Sequence, residues 1–131
     1  MSAQDNKQLM QAIFAELSNG NDQPLIDAMA EEFQWHWMGS GPWSKTFKGK
    51  SAVLGELWSA VRKTLVPPYK VIAHRFIADG EHVAIEASGQ NDTPDGKQYN
   101  NSYCWVCRLS NGKLYELREY MDTDLVTKTF L

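Results

Sequence analysis

Several features that would assign this chain to a special class are rare or absent in its sequence. Two cysteines among 131 residues are too few for a disulfide-rich scaffold. No apolar run approaches the roughly 20 residues of a membrane-spanning helix, and the polar residues 1–8 do not resemble a signal peptide. We therefore expect a cytoplasmic protein with reduced cysteines and no membrane association.

The chain also lacks a large excess of charge of either sign. The chain has 13 lysines and arginines against 16 aspartates and glutamates, a net charge of −3, without a basic block. This gives no electrostatic reason to expect nucleic acid as a partner. Cys104 and Cys107 have the spacing of a redox or zinc motif, but residues three apart on a strand point to opposite faces. Since no second cysteine pair completes a zinc site, we expect neither a disulfide nor a metal.

What is present is the composition of one globular domain. Hydrophobic residues make up 43% and charged residues 22%, which is ordinary, and the length suits a single domain over 1–131. Apolar residues at helical spacing predict helices near 4–18 and 51–65, a short helix after Asp22, and a short final helix around 125–130. Strand patterns dominate the second half, which is typical of an α+β domain.

Alternating apolar and polar residues predict one strand at 33–37 and four longer strands in the second half. Two Asp-Gly pairs and one Asn-Gly pair separate the longer strands and are strong hairpin signals. The longer strands lie near 69–78, 81–91, 97–109 and 113–122.

Two registers of the last hairpin remain open. A two-residue turn at Asn111-Gly112 sets Cys104 opposite Glu119, whereas a three-residue loop that includes Ser110 sets Tyr103 opposite Glu119. We favour the second register, because it gathers the aromatic and apolar side chains on one face. Those side chains are Tyr103, Trp105, Tyr115, Leu117 and Met121.

Three stretches, DGKQYN at 95–100, NGKL at 111–114 and LREYMD at 117–122, resemble the C-terminal half of SnoaL-like proteins and limonene-epoxide hydrolase. The chain is similar to the ketosteroid-isomerase-like branch of the nuclear transport factor 2-like superfamily. This resemblance implies a cone-shaped, strongly curved, mainly antiparallel sheet packed on three N-terminal helices, with a short C-terminal helix. The same fold is called cystatin-like, and it hosts enzymes and binding proteins alike.

The active sites of that superfamily match this chain in part. The positions that ketosteroid isomerases use are Phe14 and Trp37 here, and neither side chain can replace a tyrosine or an aspartate. Of the positions matching the epoxide hydrolase set, Glu119, Glu86 and Ser88, only Glu119 keeps its chemical type. SnoaL-like cyclases rely on one pocket acid, and the resemblance implies that Glu119 supplies it.

Glu119 is the first candidate for catalysis. It lies between apolar Leu117 and Met121 on the predicted inner face, where desolvation raises the pKa of a carboxyl group and suits it for proton transfer. The alternative is a structural salt bridge at a strand end, with Arg118 or Arg75 as the partner.

Glu86 and Tyr103 are the other candidates. The resemblance points Glu86 and Ser88 inward, whereas periodicity points the apolar residues at 83, 85 and 87 inward. If Glu86 does face Glu119, the two carboxylates share a pocket and one of them holds a proton at neutral pH. Tyr103 is a candidate donor to an oxyanion, or a core tyrosine with one hydrogen bond.

Aromatic side chains are the predicted pocket wall, and Trp43, in a glycine-rich loop, is a candidate lid. Asn101 lies on the same face as Tyr103 and is a candidate for orienting a carbonyl group. The predicted ligand-pocket residues are Trp35, Trp37, Trp43, Trp58, Ser88, Asn101, Leu117 and Met121.

These residues predict a small-molecule pocket protein of the SnoaL-like cyclase or isomerase type. It would use acid–base chemistry on an apolar carbonyl or cyclic substrate, without a metal or organic cofactor. The alternatives are a non-catalytic binding module and a purely structural dimer. A homodimer is expected in each case, because one apolar surface would otherwise be exposed. That surface comprises Val83, Ile85, Ala87, Cys104 and Val106.

Overall fold

The first half of the chain folds into helices, as its periodicity predicts. The structure, a computed structural model, describes residues 1–130. Helix α1 spans Ala3–Leu17 and helix α2 spans Gln23–Ala28. The predicted third helix covers residues 50–64 and is continuous but not uniform. It consists of α3 at Lys50–Ala52, a π-helical segment at Val53–Trp58 and α4 at Ser59–Thr64.

The strands form one six-stranded sheet in the order β2-β1-β6-β5-β4-β3. Neighbouring strands are antiparallel except for β1 and β6, which pair in parallel. Their bounds are Met29–Trp37 for β1, Thr46–Lys48 for β2, Val71–Asp79 for β3, His82–Gly89 for β4, Ser102–Ser110 for β5 and Lys113–Met121 for β6. Helix α5, at Thr123–Phe130, follows the sheet.

This arrangement confirms the α+β fold class, with a curved, mostly antiparallel sheet, N-terminal helices and a short C-terminal helix. The predicted first strand begins earlier than expected, at Met29, and β2 was not predicted at all. Strand β2 has three residues, of which only Phe47 is buried, so its sequence shows too little alternation to mark it as a strand.

The last hairpin adopts neither of the two predicted registers. Asn111 and Gly112 have φ angles of 51° and 76° and form a two-residue turn that pairs Ser110 with Lys113. A register shift beside Arg108 then leaves Tyr115 as the extra residue of a β-bulge.

Trp105 consequently lies opposite Glu119, and Tyr103 lies opposite Met121. The favoured register is therefore wrong by two residues. Because side chains alternate with a period of two, a two-residue error keeps the predicted inner face. Tyr115 is the exception, since the bulge turns it toward Arg108, whose guanidinium carbon lies 5.4 Å from the centroid of the tyrosine ring.

Glu86 faces outward, contrary to what the resemblance implies. The apolar residues at 83, 85 and 87 are at most 3% exposed and face the core, so the residues between them point to the other side of β4. Glu86 Oε1 forms a salt bridge with Arg75 Nη1 at 3.0 Å, and Ser88 Oγ lies 2.7 Å from Nε2 of His74. Of the two orientations left open, the one that periodicity indicates is correct, so Glu86 does not share a pocket with Glu119, and Ser88 lies on the outer face with it.

The apolar surface expected at a dimer contact is divided between the two faces of the sheet. Its β4 members are buried in the core, whereas Cys104 and Val106 are half-buried on the outer face. The outer face carries a different apolar group, which we call the outer patch. It consists of Ile77, Ala84, Cys104, Val106 and Tyr120.

Candidate functional site

Glu119 is a buried carboxylate held by two indole groups. It is 2% exposed. Its Oε1 accepts a hydrogen bond from Trp35 Nε1 at 2.9 Å, and its Oε2 accepts one from Trp105 Nε1 at 2.8 Å. The sheet brings these groups together, because Trp105 lies opposite Glu119 on β5 and β1 runs beside β6 with Trp37 next to Glu119. The alternative interpretation, a salt bridge of Glu119 with Arg118 or Arg75, does not hold, because these arginines pair with Glu116 and Glu86.

Burial raises the pKa of Glu119 from 4.5 to about 7, while the indole N–H groups of Trp35, Trp105 and Trp37 partly offset this by lowering it. An indole N–H is only a donor, so it favours the ionised carboxylate without supplying a full positive charge. A carboxyl group with a pKa near neutrality is present in both protonation states and is suited to accept and return a proton.

A small cavity adjoins Glu119. Its volume is about 10 Å³, which is room for about one water molecule. The helices contribute aliphatic side chains to its wall, namely Leu57, Val61 and Leu65. The remaining wall is aromatic and comprises Trp35, Trp37, Trp58, Tyr69, Tyr99, Tyr103 and Phe130. A larger ligand therefore has to displace part of this wall.

Three tyrosines in the wall remain protonated at neutral pH. Burial raises the pKa of Tyr69, Tyr99 and Tyr103 above the ordinary value of 10. Tyr69 and Tyr103 lie close enough for each to influence the pKa of the other. Asn101 Nδ2 donates to the Tyr99 hydroxyl at 3.2 Å, which leaves the Tyr99 proton available to another acceptor.

Trp58 is fixed from outside the cavity. Its Nε1 donates to Asp22 Oδ2 at 2.6 Å, and the same oxygen accepts from Arg62 at 3.0 Å. Asp22 lies at the N-cap of α2, as predicted, but its side chain makes no capping hydrogen bond. It holds an aromatic wall residue in place instead.

Five of the predicted site residues meet at the cavity, namely Trp35, Trp37, Trp58, Tyr103 and Glu119. Each lies on the inner face of the sheet or on the buried side of the third helical stretch. The structure thus brings the acid together with part of the predicted aromatic wall.

Trp43, Asn101, Leu117 and Met121 do not line the cavity. Trp43 packs behind Trp37, with ring centroids 5.6 Å apart. Asn101 binds the backbone of Asp122 through both ends of its amide group, at 3.0 and 3.1 Å, so it connects β5 to the start of α5. Leu117 and Met121 share the inner face of Glu119 but pack in the core beside the cavity.

Tyr69, Tyr99 and Phe130 are cavity residues that the sequence did not identify as such. Tyr69 follows two prolines just before β3, and Tyr99 lies in a loop that continues the β4–β5 pairing, where its N–H bonds Asn91 at 2.8 Å. Phe130 comes from α5. Tyr69 and Tyr99 lie outside any periodic pattern, and the helical spacing that includes Phe130 does not show what this residue contacts. Only the folded chain shows that the three side chains meet.

A surface cleft lies on the other side of Tyr69. Its volume is about 320 Å³, and it is lined by Gly20, Asp22, Arg62, Pro67, Pro68 and Tyr69. Tyr69 borders both spaces, and its ring packs edge-on against Trp58 at 5.6 Å. Tyr69 therefore lies between the cleft and the Glu119 cavity.

Residues 1–130 contain no group of three or more histidine, cysteine, aspartate or glutamate side chains arranged to bind a metal. Within the same range, no helix is long and apolar enough to cross a membrane. Cys107 is buried and Cys104 is half-buried, and both are free thiols on opposite faces of β5, as predicted.

Comparison with known proteins yields one family and many similar folds. The sequence pattern described as the SnoaL-like domain matches residues 10–117. No curated protein matches the chain in sequence.

Solved structures with this fold share little sequence with the chain. A nuclear transport factor 2-like protein from Burkholderia xenovorans LB400 is 22% identical, with 100% of this chain and 99% of that chain covered and a TM-score of 0.74. Bal32a, from a soil-derived mobile gene cassette, is 18% identical over 98% of each chain, with a TM-score of 0.81. TerC, co-crystallised with polyporic acid, is 16% identical over 95% of this chain and 97% of its own, with a TM-score of 0.77.

Proposed function

Because the chain belongs to the SnoaL-like domain family, we propose that it is an enzyme of the cyclase or isomerase type. Its substrate would be an apolar carbonyl or cyclic compound, on which Glu119 moves a proton. The observation that carries this proposal is a buried carboxyl group with a pKa of about 7 beside an aromatic cavity. TerC, a protein of similar fold, was co-crystallised with a small organic molecule, which agrees with a small-molecule role.

The proposed step needs no oxidant, metal or organic cofactor. The Glu119 carboxylate takes a proton from the carbon next to a carbonyl group, and the electron pair of that C–H bond forms a C=C bond. The carbonyl π pair moves onto its oxygen, giving an enolate. Glu119, now protonated, returns the proton to the substrate at the same or a conjugated carbon, and the C=O bond re-forms. Tyr103, a protonated donor in the cavity wall, assists by favouring negative charge on the oxygen.

The test is hydrogen–deuterium exchange at the carbon next to the carbonyl group of indan-1-one, followed by NMR in D2O. We expect Glu119→Gln to slow catalysed exchange by about 100-fold or more, the usual contribution of a general base. Glu86→Gln is the matched control, because Glu86 points away from the cavity and pairs with Arg75. Equal exchange rates in the wild type and Glu119→Gln would refute the proposed role.

The second candidate is a non-catalytic binding module. It is favoured by one observation, that both Glu119 oxygens already accept indole hydrogen bonds and the cavity has room for about one water. NMR titration of the glutamate carboxyl carbons separates the two functions. A Glu119 pKa close to the ordinary ~4.3 would favour binding over catalysis.

We also propose a homodimer that forms through the outer patch. Ile77 and Tyr120 are 58% and 45% exposed, and the less exposed Val106 lies between their strands on the same face. Sedimentation should show a dimer that Val106→Arg dissociates. Val66→Arg is the control, since Val66 is 45% exposed but lies in a loop outside the sheet. A wild-type monomer at micromolar concentration would contradict the proposal.

A further inference from the structure

Trp37 carries a buried indole N–H group with no acceptor. Its side chain is 6% exposed and lines the Glu119 cavity. Within residues 1–130, its Nε1 has no hydrogen-bond partner. A buried donor without an acceptor is costly to a fold, so its presence calls for a physical reason.

The group nearest to this N–H is a carboxylate that already accepts two other indole hydrogen bonds. Trp37 lies directly beside Glu119 in the pairing of β1 with β6. Its N–H is close enough to lower the pKa of Glu119, although it does not meet the distance and angle of a hydrogen bond. The Tyr99 hydroxyl, also in the cavity wall, already accepts a hydrogen bond from Asn101. An oxygen atom brought from outside would satisfy the Trp37 donor.

We propose that the cavity binds one acceptor oxygen of the substrate, a ketone oxygen that becomes an enolate oxygen, and that Trp37 Nε1–H donates to it. This inference rests on the proposed function and specifies its substrate class. The cavity has the size of a single oxygen-bearing group, at about 10 Å³. Donation from Trp37 strengthens as negative charge develops on the oxygen, which is the requirement for stabilising an enolate.

The remainder of the substrate requires space that the wall now occupies. Tyr69 borders both the cavity and the surface cleft of about 320 Å³. Movement of the Tyr69 ring joins the two spaces, so the apolar part of the substrate occupies the cleft side while its oxygen lies beside Trp37. The combined space reaches the size of a small-molecule site, about 300 Å³ or more.

The test uses indan-1-one and its hydrocarbon analogue indane as probes of the wild-type protein labelled with 15N at the indole nitrogens. The Trp37 resonance is assigned by its loss in Trp37→Phe. We expect indan-1-one, but not indane, to shift the Trp37 indole proton downfield. Trp37→Phe should weaken indan-1-one binding about fivefold, the worth of one neutral hydrogen bond, and leave indane binding unchanged.

Trp43→Phe is the matched control. Trp43 also has a buried indole N–H without a partner in residues 1–130, but it lies behind Trp37 and outside the cavity wall. This variant should bind both probes as the wild type does. If Trp37→Phe does not fold, as judged by circular dichroism, the Trp37 resonance is assigned by its loss in Trp37→Tyr, and the indole shift of the wild type decides.

An unmoved Trp37 resonance, including the case in which indan-1-one does not bind, would overturn the inference. Its failure can be told apart from failure of the proposed function. A Trp37 shift without any catalysed exchange would support the oxygen-binding site and contradict the proposed enzyme activity. If exchange depends on Glu119 but the Trp37 resonance does not move, the enzyme activity is supported and the oxygen-binding site is contradicted.

Discussion

Two opposing effects act on the Glu119 carboxyl group: burial disfavours its charge, and hydrogen bonds favour it. Its neighbours on the inner face of the sheet are aromatic rings, which provide donors but no compensating positive charge. Burial therefore outweighs the indole hydrogen bonds and raises its pKa to about 7. Glu119 is therefore a candidate proton carrier and, when it is ionised, a destabilising charge.

This conflict predicts how stability depends on pH. The folded protein binds the Glu119 proton more tightly than the unfolded chain, so the associated stability is present below pH 4.5 and is lost as pH rises through about 7. We expect the stability advantage of the wild type over Glu119→Gln to fall by about 3 kcal/mol across that window. Urea unfolding of both proteins at several pH values measures it, and parallel pH profiles would refute it.

At the scale of elements, an aspartate at the start of α2 holds the π-helical segment in place. Trp58 ends that segment and reaches Asp22 through its indole N–H. Because the indole is buried while the Arg62 side chain is 59% exposed, the two interactions of Asp22 differ in value. A buried hydrogen bond to a charged group is worth more than a solvent-exposed ion pair.

We therefore expect Asp22→Ala to lower the unfolding free energy by about 1–3 kcal/mol, since it leaves the Trp58 N–H without its acceptor. Arg62→Gln should cost only about 0.2–1 kcal/mol, because it removes the exposed ion pair alone. Urea unfolding of the two variants and the wild type compares these losses. Similar losses in both variants would show that the ion pair, and not the indole, is the important partner.

At the scale of the whole molecule, the C-terminal helix closes a cavity whose acid lies on β6. Phe130, on α5, lines that cavity and packs against Trp37, Trp43 and Tyr99, with ring centroids 5.3–5.8 Å apart. The helix therefore keeps water away from Glu119, although the two residues belong to different elements.

Shortening the Phe130 side chain should change the pKa of the Glu119 carboxyl group. We expect Phe130→Ala to lower the pKa of Glu119 from about 7 toward 4.5, because admitted water reduces the desolvation that raises it. NMR titration of the carboxyl carbon measures the change. Leu125→Ala, on the same helix but outside the cavity wall, is the control and should leave the value unchanged. An unchanged pKa in Phe130→Ala would show that other residues exclude the water.

The sequence by itself determined the class of fold, because local patterns specify it. Helical spacing predicted α1 and the third helical stretch, and alternation predicted the long strands and the inner position of Glu119. Alternation also placed Glu86 outward, where the structure has it, although the family resemblance implied the reverse. Such local signals predict the inner and outer residues correctly, because the face of a strand residue depends only on its position in an alternating pattern.

Only the tertiary structure decided what Glu119 meets. The bulge at Tyr115 sets the register that puts Trp105 opposite Glu119, and a single bulged residue leaves no periodic mark in a sequence. The parallel pairing of β1 with β6 brings Trp35 and Trp37 to the same carboxyl group from about 80 residues away. Long-range contacts of this kind depend on which strands become neighbours, which is settled by packing of the whole chain and not by local propensity.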